Sequence, residues 1–231
     1  MKKLIIFECA LCMRVCAMAL TSYYVYTTDG SSVKYTIANV DSISFTAPAV
    51  GIENGHEYVD LGLPSGTKWA TCNVGATAPE AYGDYYAWGE TAPKSSYSSD
   101  NYSYSDNPDV LPLDKDAARA NWGGTWRMPT DEEWTELREN CEWTWTDDYN
   151  GTGVAGRIVT SKTNSNSIFL PAAGFRSYDD LNDAGYYGYY WSSSLLAGDP
   201  LGAWYVSFDS YYVSRDYGHR FCGRSVRPVL K

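Results

Sequence analysis

The chain has 231 residues, of which 44% are hydrophobic and 16% aromatic, enough apolar side chain for one substantial core and a small accessory module. Its formal net charge of −10 opposes phosphate backbones and anionic lipid, so nucleic acid is not an expected partner. Internal apolar runs fall short of the roughly 20 residues that span a bilayer, so no transmembrane segment is expected in the mature chain.

The N-terminus carries Lys2-Lys3, an apolar stretch from Leu4 and a small-x-small site at Ala17-Met18-Ala19. That order predicts an export signal over residues 1–19, although Glu8 and Arg14 interrupt its apolar part, and it places the mature protein at the cell surface or outside the cell. Residues 20–47 read as a small β-strand module, with strands at 23–27, 33–37 and 42–45 and a turn at Asp29-Gly30. The module resembles one found at the start of many exported proteins of gut anaerobes, in which Asp-Gly and Val-Asp-Ser-Ile recur, here Asp29-Gly30 and Val40-Asp41-Ser42-Ile43. Pro48, Gly51 and Gly55 mark residues 48–56 as a linker.

The main domain is expected over residues 57–231. Tyr58-Val59-Asp60-Leu61-Gly62-Leu63-Pro64-Ser65-Gly66-Thr67-Lys68-Trp69-Ala70 gives two short strands around a Pro/Gly turn, and Tyr85-Tyr86-Ala87-Trp88-Gly89-Glu90 a further aromatic run. With Gly123-Gly124-Thr125-Trp126-Arg127-Met128-Pro129-Thr130, these strings resemble the FISUMP-type domain of exported bacterial proteins. The resemblance implies a C-type-lectin-like fold related to formylglycine-generating enzymes. A helix is expected over residues 114–122, stopped by Gly123-Gly124. A second begins at Thr130, where Glu133 three residues on makes a capping box, and it sets Trp134, Leu137 and Cys141 on one face. Ile168-Phe169-Leu170-Pro171 reads as a buried strand. The expected class is α+β, with two helices packed on a small, twisted, mostly antiparallel sheet with much loop, preceded by the small β module.

Residues 94–112 are rich in Ser, Tyr, Asp and Asn and include Tyr97, Tyr102 and Tyr104. Tyr and Ser suit an adaptable binding loop. A long surface loop under no constraint has the same composition.

Residues 190–229 combine spaced anchors with unrelated side chains between them. In Ala203-Trp204-Tyr205-Val206-Ser207-Phe208-Asp209 the apolar residues alternate, which predicts a strand with Trp204, Val206 and Phe208 inward and Tyr205, Ser207 and Asp209 toward solvent. In the next strand Tyr211 and Val213 are expected inward, and Tyr212, Ser214 and Asp216 outward. The string Tyr190-Trp191-Ser192-Ser193-Ser194-Leu195, then Ala203-Trp204, Val206, Phe208, Ser210 and Val213, closing on Arg220, Gly223 and Ser225-Val226-Arg227-Pro228-Val229, resembles the C-terminal end of variable proteins of diversity-generating retroelements. In that family an error-prone reverse transcriptase alters AAY codons, which come to encode many residues but never Lys, Glu, Gln, Met or Trp. Lys, Glu and Met are absent from residues 164–230.

The resemblance implies a variable region over about residues 190–223 and a ligand-binding set of Leu196, Asp199, Leu201, Gly202, Tyr205, Ser207, Asp209, Tyr212, Ser214, Asp216, Tyr217, His219 and Cys222. Gly218 also falls between the anchors. Arg220, Arg224 and Arg227 are expected as framework hydrogen-bond donors. Without the signal, Cys72, Cys141 and Cys222 remain, which permits one internal disulfide, and Cys72 with Cys141 is the expected pair because Cys222 falls at a variable position.

No catalytic role is expected. The oxidases related by fold use a cysteine pair near the C-terminus to hold copper, and here Cys222 stands alone. His56 and His219 have no fixed nucleophile with an orienting carboxylate. Calcium-dependent lectin sites resemble Glu-Pro-Asn or Gln-Pro-Asp with Trp-Asn-Asp, none of which occurs, so no metal or other cofactor is expected. The expectation is an exported receptor or adhesin for a protein or glycan on a cell or phage surface. A fixed, non-diversified adhesin or envelope structural protein of the same family is the other reading.

Overall fold

The computed structural model describes residues 50–231 throughout and, before them, the backbone of strands β1 (Ser22–Tyr26) and β2 (Ser32–Thr36). The chain divides into two units, Met1–Ala47 and Pro48–Lys231. In the first, β1 and β2 pair antiparallel, with Tyr26 opposite Ser32. The export signal expected at residues 1–19 and the strand expected at 42–45 lie outside the described residues.

The second unit opens with a hairpin. Strands β3 (Val50–Glu53) and β4 (His56–Val59) are joined by Asn54-Gly55, both at positive φ, 47° and 83°. Such a two-residue turn carries the twist an antiparallel pair needs, and Asn and Gly tolerate it best. The stretch expected as a linker over residues 48–56 thus supplies a strand, and the linker expectation is corrected to that extent. Strands β5 (Lys68–Ala70) and β16 (Val229–Leu230) complete a four-stranded sheet in the order β16-β5-β4-β3. A three-stranded antiparallel sheet holds β7 (Cys141–Thr146), β8 (Gly156–Ser161) and β9 (Ser167–Pro171), and β10 (Phe175–Ser177) pairs with β11 (Asp180–Asn182).

The central sheet has five strands: β6 (Tyr85–Tyr86), β12 (Gly188–Leu195), β13 (Gly202–Phe208), β14 (Val213–His219) and β15 (Arg224–Ser225), in the order β14-β13-β12-β15-β6. Its middle is buried on both faces. Tyr190, Val206 and Phe208 pack with Trp69, Trp134 and Leu137, while the alternate side chains Trp191, Ala203 and Tyr205 pack with Trp88, Trp122 and Trp126.

Two helices complete the unit. Helix α2 (Asp131–Asn140) starts at the expected capping box: the Thr130 hydroxyl accepts from the Glu133 N–H, and the Glu133 carboxylate accepts from the Thr130 N–H. The helix expected over residues 114–122 is shorter. Asp116 is extended, its carboxylate accepts from the N–H groups of Ala118, Arg119 and Met128, and helix α1 runs only over Ala117–Trp122.

The α+β, C-type-lectin-like class is therefore corrected. Among the described residues strand outweighs helix, 37% against 14%, and the strands of the second unit form four separate small sheets where one was expected. Aromatic and β-branched residues fill short runs, and glycines at positive φ break them before one large sheet can grow. The Cys72–Cys141 disulfide is corrected as well. Both thiols are free, and they sit in different hydrophobic clusters, Cys72 beside the Trp126 cluster and Cys141 within the Trp134 cluster.

Candidate ligand-binding face

The segment expected to vary is held by side chains that point away from it. The Trp191 indole donates to the Tyr86 carbonyl at 2.8 Å, Trp88 to Ser192 at 2.9 Å and Trp134 to Trp191 at 3.2 Å. The Arg227 guanidinium, fully buried, donates to Asn73 Oδ1 and to the carbonyls of Ala70, Thr71 and Phe169. These bonds fix β12 and the last strands against three neighbouring segments.

Strand β14 is the edge of the central sheet. Its seven residues pair with β13 from Gly202 opposite His219 to Phe208 opposite Val213. Side chains alternate along it, so Ser214 and Asp216 lie on the face of Ser207 and Tyr205, and Arg215, Tyr217 and His219 on the face of Trp204. The thirteen expected contact residues are thus spread over both faces of β13 and β14 and the turns beside them, and do not share one face.

Seven of them are exposed: Asp199, Leu201 (68%), Tyr212 (73%), Ser214, Asp216, Tyr217 (54%) and His219. Leu196, Ser207 and Asp209 are half-buried. Asp199 and Asp209 shape turns, since Asp199 Oδ1 accepts from the Leu201 N–H and Asp209 Oδ1 from the N–H groups of Tyr211 and Tyr212.

Gly202, Tyr205 and Cys222 are buried, against expectation. Tyr205 is 8% exposed, with its ring edge-on to Trp191 and beneath the Arg224 guanidinium at 4.1 Å. The alternation that set it outward failed because β13 is an inner strand covered on both faces. Cys222 is closed in beside Arg224, and burial pushes its thiol pKa up. Trp204, expected inward, is half-buried, and Tyr211, also expected inward, is among the most exposed side chains.

Two features escaped the sequence. Arg215 lies over the Trp204 ring at 3.4 Å, and its Nε meets both Asp131 carboxylate oxygens at 2.8 Å, tying the edge strand to the start of α2. The second is a cavity of about 480 Å³ where the Pro200-Leu201 turn and His219 meet residues 99–107. The long Tyr/Ser loop is fastened there: Tyr97 and Tyr104 are buried, Tyr97 donates to the Tyr85 carbonyl and Tyr102 to the Trp88 carbonyl at 2.7 Å.

Residues 158–229 match a family described as Domain of unknown function (DUF8237), a span that covers all thirteen positions. No curated protein and no solved structure matches the chain. Among the described residues no helix is long and apolar enough to cross a membrane.

Proposed function

We propose that this is an exported ligand-binding protein, a receptor or adhesin, that grips a protein or glycan on a cell or phage surface through the side chains of β14 and its flanking turns. The observation that carries the reading is a division within one segment. Asp199, Leu201, Tyr212, Ser214, Asp216, Tyr217 and His219 are exposed, while the backbone beneath them is held by the β13 ladder and by buried tryptophans and arginines. Tyr offers flat amphipathic contact area at low entropic cost, and Ser and Asp add polar selectivity. We further propose, on the anchor pattern, that the chain is a FISUMP-type variable protein of a diversity-generating retroelement.

Two experiments test this. A display library randomised at Tyr212, Ser214, Asp216, Tyr217 and His219 should keep most members protease-resistant; loss of folding in most members would refute the idea that these side chains are free of structural duty. For diversification, the coding DNA should have a nearby imperfect copy of its last forty or so codons, differing at adenines, beside a reverse-transcriptase gene. The fixed adhesin draws support from the burial of Gly202, Tyr205 and Cys222, since random substitution there would strain the core. A locus without the copy would favour it.

A further inference from the structure

We propose that the cavity between residues 99–107 and the Pro200-Leu201 turn is a subsite for one neutral pyranose unit of a glycan. This rests on the ligand-binding reading and names a ligand class for it. The cavity's volume, about 480 Å³, falls within the roughly 300–1,000 Å³ of small-molecule clefts. Its walls combine the rings of Tyr102, Tyr104, Phe221 and His219 with the hydroxyls of Ser99 and Ser105. His219 stacks on Phe221 with centroids 4.9 Å apart and planes within 11°, so the two rings form one continuous wall.

Charge selects the ligand. Arg220 is the one fully charged side chain lining the cavity, and it is 3% exposed. Every N–H it has is already used: Nε donates to the Tyr102 hydroxyl, Nη1 to Asn107 Oδ1 and the Pro200 carbonyl, and Nη2 to the carbonyls of Tyr104 and Asp106. A guanidinium has five such donors. None is left for a carboxylate, sulfate or phosphate, and the net charge of −10 repels anions at longer range. A purely apolar side chain fits poorly for the opposite reason: Ser99, whose hydroxyl donates to Asp100, Ser105 and Asn107 are exposed at the cavity, and such a ligand would take water from them and give no hydrogen bond back. A neutral sugar ring satisfies both walls, its C–H face on the aromatic rings and its hydroxyls on the serines.

Arg220 also sets the width of the cavity. One nitrogen, Nη1, holds Asn107 on the loop side and Pro200 on the turn side, each at 2.8 Å. The subsite is therefore held open before any ligand arrives, which lowers the ordering cost of binding.

The test uses the full chain and a panel of methyl glycosides of glucose, galactose, mannose and N-acetylglucosamine, read by NMR shift perturbation at millimolar sugar. The expected result is saturable shifts at Leu201, His219, Tyr102 and Tyr104 with at least one glycoside, weakened about tenfold in Leu201→Ala and in His219→Ala. Both positions are exposed, so unchanged melting temperatures are expected to accompany the loss. No shift with any glycoside overturns the proposal. Shifts confined to Tyr212, Ser214 and Asp216 overturn it too, while leaving the receptor reading in place. Failure of that broader reading is seen separately, in unfolding of the randomised library.

Discussion

Replacing Arg220 with Ala should loosen two segments at once. The side chain makes five hydrogen bonds, lies 4.6 Å over the Trp88 ring and is almost wholly buried. Its removal strands the carbonyls of Pro200, Tyr104 and Asp106 and the oxygens of Asn107 and Tyr102. A charged hydrogen bond contributes about 1.5–3 kcal/mol, and stranding buried acceptors adds to the loss, but exposed segments relax toward water and the terms do not sum. A net destabilisation of about 3–5 kcal/mol is expected, the range for breaking a buried charged network. For a unit of this size that is a fall in melting temperature of roughly 10 °C, at about 2–4 °C per kcal/mol. Differential scanning fluorimetry gives the fall, and hydrogen exchange should show residues 99–107 and 199–202 losing protection together. Arg220→Lys, with a compact ammonium in place of the fork, should lie between wild type and Ala. A drop under about 2 °C in the Ala variant, with unchanged exchange in both segments, would refute the clamp.

Other outcomes follow from the same geometry. Burial alone would raise the Glu133 pKa, but the paired Arg127 hydrogen bonds and the Thr130 N–H outweigh it and hold the carboxyl below its ordinary value near 4.5. The folded state then favours the ionised form, so stability is present above pH 4.5 and is lost as acid protonates the group. Urea melts at falling pH should show this loss, and Glu133→Gln should flatten that part of the profile. Burial pushes the Cys141 thiol up to about 11, so alkylation at pH 8 followed by mass spectrometry should label Cys72 before Cys141. A reducing agent should leave the melting temperature of the 48–231 unit unchanged. Gly174 has φ of 65°, and a Cβ there would stand 2.1 Å from the Asn182 carbonyl oxygen; Gly174→Ala should cost more than 2 kcal/mol, measured by chemical denaturation.

What could be read from the sequence was what local chemistry decides. Thr130 and Glu133 fix the start of α2 because each satisfies the other's backbone within one turn. Asn54-Gly55 carries an equally strong hairpin signal, which Pro48 and Gly51 nearby mask with the composition of a linker. Tyr205 shows the limit of alternation: a period of two separates the faces of a strand, but whether both are covered depends on strands that arrive from elsewhere, here β12 and β14. The Tyr102 side of the cavity was equally hidden. Nothing near residue 102 announces that Arg220, 118 positions on, will reach its hydroxyl. The number of sheets followed from such long-range pairings too, and this is why the α+β expectation failed.

The pairing of β16 with β5 has a consequence for biogenesis. Leu230 must meet Lys68, and Val229 must meet Trp69, before the four-stranded sheet exists. About 160 residues separate the two strands, so all of residues 68–230 must be available before that sheet can close, and contacts so distant in sequence form slowly. Until residues 229–230 dock, β5 keeps an unpaired edge, a row of open backbone groups that could pair wrongly with another strand.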